Sequence, residues 1–166
     1  MLFRSSTVAN AHIVSSNTRT DGSGFNVMMN RQGSNGSAIE FRRTNTTVGS
    51  VSVTTTATAY NTSSDYRLKE NVAPMTGALA TVAQLKPVTY TWKADGSNGQ
   101  GFIAHELQAV VPDCVSGEKD AVNEDGTPQY QGIDTSFLVA TLTAAIQEQQ
   151  EIIKNLTDRI AALEAK

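Results

Sequence analysis

A serine and a lysine stand five residues apart in the run Ser64-Asp65-Tyr66-Arg67-Leu68-Lys69. These two side-chain types suffice for nucleophilic acyl chemistry: a neutral amine takes the hydroxyl proton, and the oxygen attacks a carbonyl carbon. The requirement falls on the amine. An exposed lysine holds its proton up to about pH 10.4, so a lysine base needs burial or a nearby cation to work near neutrality. Arg67 is such a cation. A spacing of five aligns nothing on an α-helix, where side-chain neighbours lie three or four apart, so the pair must sit on a bent or partly extended segment. Oxyanion donors are also required, and the sequence does not identify them. Taken alone, Ser63-Ser64-Asp65 reads equally as a turn or a helix cap.

The run lies where two unlike halves of the 166-residue chain meet. Residues 1–63 are rich in Thr, Ser, Asn and Gly, and carry Arg4, Arg19, Arg31, Arg42 and Arg43 against Asp21 and Glu40. That half has a net charge of +3 and leaves −6 to the rest of a chain at −3. The balance gives no reason to expect nucleic acid as a partner. The single cysteine, Cys114, allows no intrachain disulfide and reads as packing rather than a nucleophile. His12 and His105 are too isolated to ligate a metal, and no cofactor is expected. Gly22-Ser23-Gly24 and Gly33 to Gly36 read as turns, since no helix with an apolar face follows to make them phosphate loops. No apolar run follows Met1-Leu2-Phe3-Arg4 as in a signal peptide, and none reaches the ~18 residues of a membrane span, so no membrane is expected as a partner.

The first half predicts short strands. Val8 and His12-Ile13-Val14 precede a turn at Thr20 to Gly24. Phe25 to Asn30 and Ser37 to Arg42 read as a hairpin about Gly33-Ser34-Asn35-Gly36, and Val48 to Thr54 alternates as a strand that continues β-prone to Thr58. The large apolar residues are few: Phe25, Met28, Ile39, Phe41, Val48, Val51 and Val53. One copy buries too little to offset an ordering cost of about 1–2 kcal/mol per residue, so this segment needs neighbours.

The second half predicts a helix from Met75 to Leu85, a strand Val88 to Lys93, a turn Asp95 to Gly99, a strand Gly101 to Ala104 and helical turns from His105 to Val111. A loop over residues 116–129 and a last strand, Tyr130 to Ile133, follow. The final helix, about 135–165, starts near Asp134-Thr135-Ser136. Its heptads place Val139, Ile146, Ile153 and Ile160 at a, and Leu142, Gln149, Leu156 and Leu163 at d. Such a seam asks for partner helices over residues 149–163, while residues 138–146 are expected to pack on their own domain. Ile at a with Leu at d favours a dimer; Ile152 at g and Gln149 in the seam fit a higher oligomer, in which Arg159 can reach a neighbour's Glu164.

Four blocks in order carry a resemblance: Ser64 to Lys69, Leu85-Lys86-Pro87-Val88-Thr89-Tyr90-Thr91-Trp92, Gly101-Phe102-Ile103-Ala104-His105-Glu106-Leu107, and Ile146-Gln147-Glu148-Gln149. Over roughly residues 48–166 the chain resembles the C-terminal intramolecular chaperone domain of phage tailspikes and tail fibres, of the endosialidase type, with a related domain in myelin regulatory factor. His105 stands where that family more often has Gln. The resemblance implies an α+β architecture in which a β-rich fibre segment, residues 1–63, precedes a small mixed α/β chaperone and auto-protease domain, residues 64–166, ending in a coiled-coil helix. It implies an intertwined homotrimer whose folding client is the upstream segment. It also implies self-cleavage at Ser63-Ser64, with Ser64 as nucleophile and Lys69 as base. On the chemistry alone, Glu106 is a candidate to orient Lys69 or a water, and Arg67 is the supporting cation. The setting implied is a virion tail fibre folded in the bacterial host cytoplasm, with the chaperone part released afterwards.

Two other functions compete. An uncleaved trimeric fibre tip or receptor-binding module would use the fold to hold three chains together. A cellular membrane-linked factor would use the same cut to free a DNA-binding part, but the missing span and fibre-like first half argue against it. Nothing suggests an external small-molecule substrate.

Overall fold

The computed structural model describes residues 29–166. The chain packs as two compact units that divide between Asn71 and Val72. The expected segments at Val8, His12 to Val14, Thr20 to Gly24 and most of Phe25 to Asn30 lie outside the described residues; Met29 and Asn30 are not in a strand.

The first unit contains a three-stranded antiparallel meander: β1 (Gly36–Arg43), β2 (Thr46–Val53) and β3 (Thr58–Thr62), in the order β1-β2-β3. β1 takes β2 as its partner, around the two-residue turn Thr44-Asn45. Both turn residues have positive φ, 48° and 63°, the sign pattern of the hairpin turn whose twist matches its strands. The second turn corrects the expected β run. Thr54 Oγ1 accepts the N–H groups of Thr56 and Ala57 at 3.2 and 3.0 Å, and Thr54 N–H donates to Ala57 O at 2.8 Å, so the chain reverses at Thr54 to Ala57. Gly49 has a local reason, because a Cβ there would stand 2.8 Å from Asn61 O on the neighbouring strand. None of the described residues in this unit is buried. Phe41, Val48 and Tyr60 of the sheet stand in the open in the single chain, whereas Ile39, Val51 and Val53 are half-buried.

The second unit is mixed α/β with two small sheets. α1 (Ala78–Val82) is shorter than the expected Met75 to Leu85, because Gly77 at φ 74° is left-handed and cannot be helical. β4 (Val88–Thr91) and β5 (Asn98–Gly101) form an antiparallel hairpin. The expected strand Gly101 to Ala104 is displaced toward the N-terminus, since Asn98 and Gly99 pair with Thr91 and Tyr90 and Ala104 already begins α2 (Ala104–Gln108). Gly99 lies under the Tyr90 ring, where a Cβ would come within 2.6 Å. Tyr90 also meets Trp92 edge to face at 5.1 Å between centroids. The expected strand to Lys93 ends at Thr91, and the turn starts at Lys93.

A 3-10 turn, Pro112–Cys114, leads into β6 (Val115–Ser116), which pairs with β7 (Gly132–Ile133). The intervening loop is pinched by a bridge between Val122 and Pro128. The core joins Leu107, Cys114 and Leu138, with Leu85, Phe102, Val111 and Val115 against them.

Asp134 caps the last 3-10 turn, Thr135–Phe137, by accepting Ser136 N–H, and α3 (Leu138–Glu164) follows for 27 residues. Its buried residues are Leu138, Thr141 and Ala145, the face it turns to its own domain, where α1 packs on it. The apolar seam is a different face. Val139, Leu142, Ile146, Ile153, Leu156, Ile160 and Leu163 are all 41–68 % exposed. No helix among the described residues is long and apolar enough to cross a membrane.

Candidate active site at Ser64 and Lys69

β3 ends at Thr62, yet the ladder holds one residue longer: Ser63 N–H donates to Val48 O at 3.2 Å, and its hydroxyl reaches the same oxygen at 3.3 Å. The peptide between Ser63 and Ser64 therefore follows the last residue tied to the sheet. The chain then tightens into a 3-10 turn, Tyr66–Leu68, capped by Asp65, with Leu68 N–H on Asp65 O and Lys69 N–H on Tyr66 O, both at 3.1 Å. The turn shortens the path between positions 64 and 69, as a bent segment must. Across it, Lys69 Nζ lies 2.7 Å from Ser64 Oγ, with the amine donating.

Arg67, expected as a cation available to Lys69, has its guanidinium on Asp65: Nε donates to Oδ1 at 2.9 Å and Nη2 to Oδ2 at 2.7 Å. Asp65 Oδ1 also accepts Arg67 N–H at 2.8 Å. The Arg67 guanidinium, and then its backbone N–H, hold the Asp65 carboxyl below the usual carboxylate range. Tyr66 and Leu68, the first and last residues of the turn, are 80 % and 71 % exposed. In the second unit, Glu106 Oε1 lies 3.8 Å from Lys86 Nζ. Cys114 is fully buried, and burial first, then Asp134 and Asp113, push its thiol up, as suits packing rather than nucleophilic use. Among the described residues no group of His, Cys, Asp or Glu is placed to hold a metal.

The cap reading of Ser63-Ser64-Asp65 falls on Asp65, and the turn that it caps lies between Ser64 and Lys69. What the sequence did not disclose is the second use of Arg67 as the anchor of that cap, since a two-residue separation carries no periodic signal.

The serine and lysine in contact lie at the end of the first unit, and the small mixed α/β unit follows them in the chain. Residues 64–116 match the family described as the chaperone of endosialidase, whose family name is that of a peptidase. The match supports an endosialidase-type intramolecular chaperone domain over these residues. The match begins at Ser64 and covers less of the chain than the 48–166 expected from the four blocks. No curated protein matches the chain.

Proposed function

We propose that this chain trimerises, brings three copies of the β-rich segment before Ser64 into register, and then releases its chaperone part by cutting Ser63-Ser64. The observation that carries the cut is the 2.7 Å contact between Lys69 Nζ and Ser64 Oγ. With the amine neutral, the same contact runs in reverse and the hydroxyl donates. Ser64 Oγ then attacks the carbonyl carbon of Ser63 as its proton passes to Lys69 Nζ. The oxyanion collapses, the C–N bond breaks, and the departing α-amine takes the proton back. An ester between the Ser63 carbonyl and Ser64 Oγ remains. Water, losing a proton to Lys69, hydrolyses it to a Ser63 carboxylate and a free Ser64 hydroxyl.

Both reacting side chains are exposed in the single chain. Covering them removes water from the amine and favours its neutral form. Neighbouring copies drawn together along the α3 seam would supply that cover, and cutting would then follow assembly. Once the chaperone leaves, the fibre cannot unfold by reversing its folding route. The setting proposed is a virion tail fibre, folded in the bacterial host cytoplasm.

The open seam alone also supports a second reading, an uncleaved trimeric fibre tip. Sequencing separates the two: a new chain beginning at Ser64 supports the cut, and an intact trimer supports the tip. Hydroxylamine capture of an ester supports the acyl shift, while its failure in a chain that still cuts points to direct hydrolysis.

A further inference from the structure

Ser64 and Lys69 stand five positions apart, and only two backbone bonds of the intervening 3-10 turn hold them together. So short a turn has little stability of its own, and neither of its apolar residues, Tyr66 or Leu68, is buried to anchor it. The Asp65 carboxylate supplies the missing constraint. Oδ1 accepts the Arg67 N–H at 2.8 Å, one of the donors a helical turn leaves without a partner at its start. The guanidinium of the same residue closes on both oxygens at 2.9 and 2.7 Å. One carboxylate therefore fixes the backbone and the side chain of Arg67. The ion pair is exposed and contributes little in water, so the cap to the backbone N–H is the stronger constraint.

We propose that Asp65 is a positioning residue for self-cleavage: by capping the turn Tyr66–Leu68 it holds Lys69 Nζ against Ser64 Oγ. The inference rests on the cleavage reading above. Asp65 bonds through its side chain to Arg67 and takes no part in the bond changes at Ser63-Ser64. Its action is geometric, and misplacing a reacting group by about 1 Å can cost a hundredfold in rate.

The test follows cleavage of the full chain during cell-free synthesis, across a range of pH, for wild type, Asp65→Ala and Asp65→Asn, with native mass recorded for each. Asparagine keeps an oxygen that can cap the turn, whereas alanine does not. Expected is a loss of about ten- to hundredfold for Asp65→Ala, a rate for Asp65→Asn within about threefold of wild type, an unmoved midpoint of the pH profile, and the same assembly in all three. Wild-type speed in Asp65→Ala overturns the proposal alone. So does an Asp65→Asn variant as slow as Asp65→Ala, which would make the charge the active feature, or a loss of assembly in Asp65→Ala. A wild type that never cuts, while assembling normally, overturns the cleavage reading and takes this inference with it.

Discussion

The carboxylate of Glu148, in the long helix α3, accepts the backbone N–H of Leu79 at 2.8 Å and that of Ala78 at 3.1 Å, and so caps a helix 69 residues earlier in the chain. The residue before α1, in the capping position, is Gly77, which has no side chain to cap the helix. The cap from α3 ties the first turn of α1 to the buried face of Thr141 and Ala145. Glu148→Ala should leave those N–H groups to water, speed hydrogen exchange at Ala78 and Leu79 more than elsewhere, and lower the melting temperature modestly. Unchanged exchange at both positions would show that α1 needs no cap.

The same contact sets a pH dependence. The backbone N–H of Leu79, then that of Ala78, hold the Glu148 carboxyl below its ordinary range. Its contribution is therefore complete above the ordinary carboxylate pKa and is lost as pH falls through the lowered folded value. Melting curves of wild type and Glu148→Gln should differ most near neutrality and converge on acidification. A gap that widens toward acid would reverse the assigned sign.

The seam of α3 tests assembly without touching the site. Ile153 and Ile160 are about half exposed in the single chain, and burying each between helices should contribute about 1.5–3 kcal/mol. Ile153→Asn with Ile160→Asn should reduce native mass from three chains toward one and slow self-cleavage in parallel. Full-speed cutting by a monomeric variant would show that the site needs no cover.

The hairpin turn offers a gain in stability. Thr44 is β-branched and sits at φ 48°, a conformation that asparagine tolerates better. Thr44→Asn should stabilise the sheet by about 0.5–1 kcal/mol, read from chemical denaturation. Destabilisation would mean that the threonine side chain makes a contact worth more than its strain.

How legible these features were depends on how far each is encoded by spacing. The seam was readable because seven apolar positions repeat at a and d, and it is the face left open. Which residues hold α3 to its own domain was less so, because Thr141 and Ala145 are small and only weakly apolar. The pairing of β1 with β2 escaped because Thr44-Asn45 lacks the glycine that usually marks such a turn. β5 lay earlier than its apolar residues suggested, because it is built on Gly99 and Gly101 beside the Tyr90 ring rather than on Phe102 and Ile103. The Ser64 and Lys69 pair was readable as residue types, and their closure depends on Asp65 accepting from Arg67, a contact of geometry rather than pattern. Glu148 at α1 had no signal in the sequence, since nothing local relates positions 148 and 79.

The most direct test is the intact mass of the denatured chain for wild type, Ser64→Ala and Lys69→Ala, beside the native mass of each. The account predicts that wild type divides at Ser63-Ser64 into pieces of 63 and 103 residues, the latter being the remainder of 166. Both variants should stay whole and still trimerise. A wild type that remains at 17.7 kDa as a stable trimer would contradict the cut and leave assembly standing. Cleavage that persists in either variant would contradict the assignment of Ser64 and Lys69.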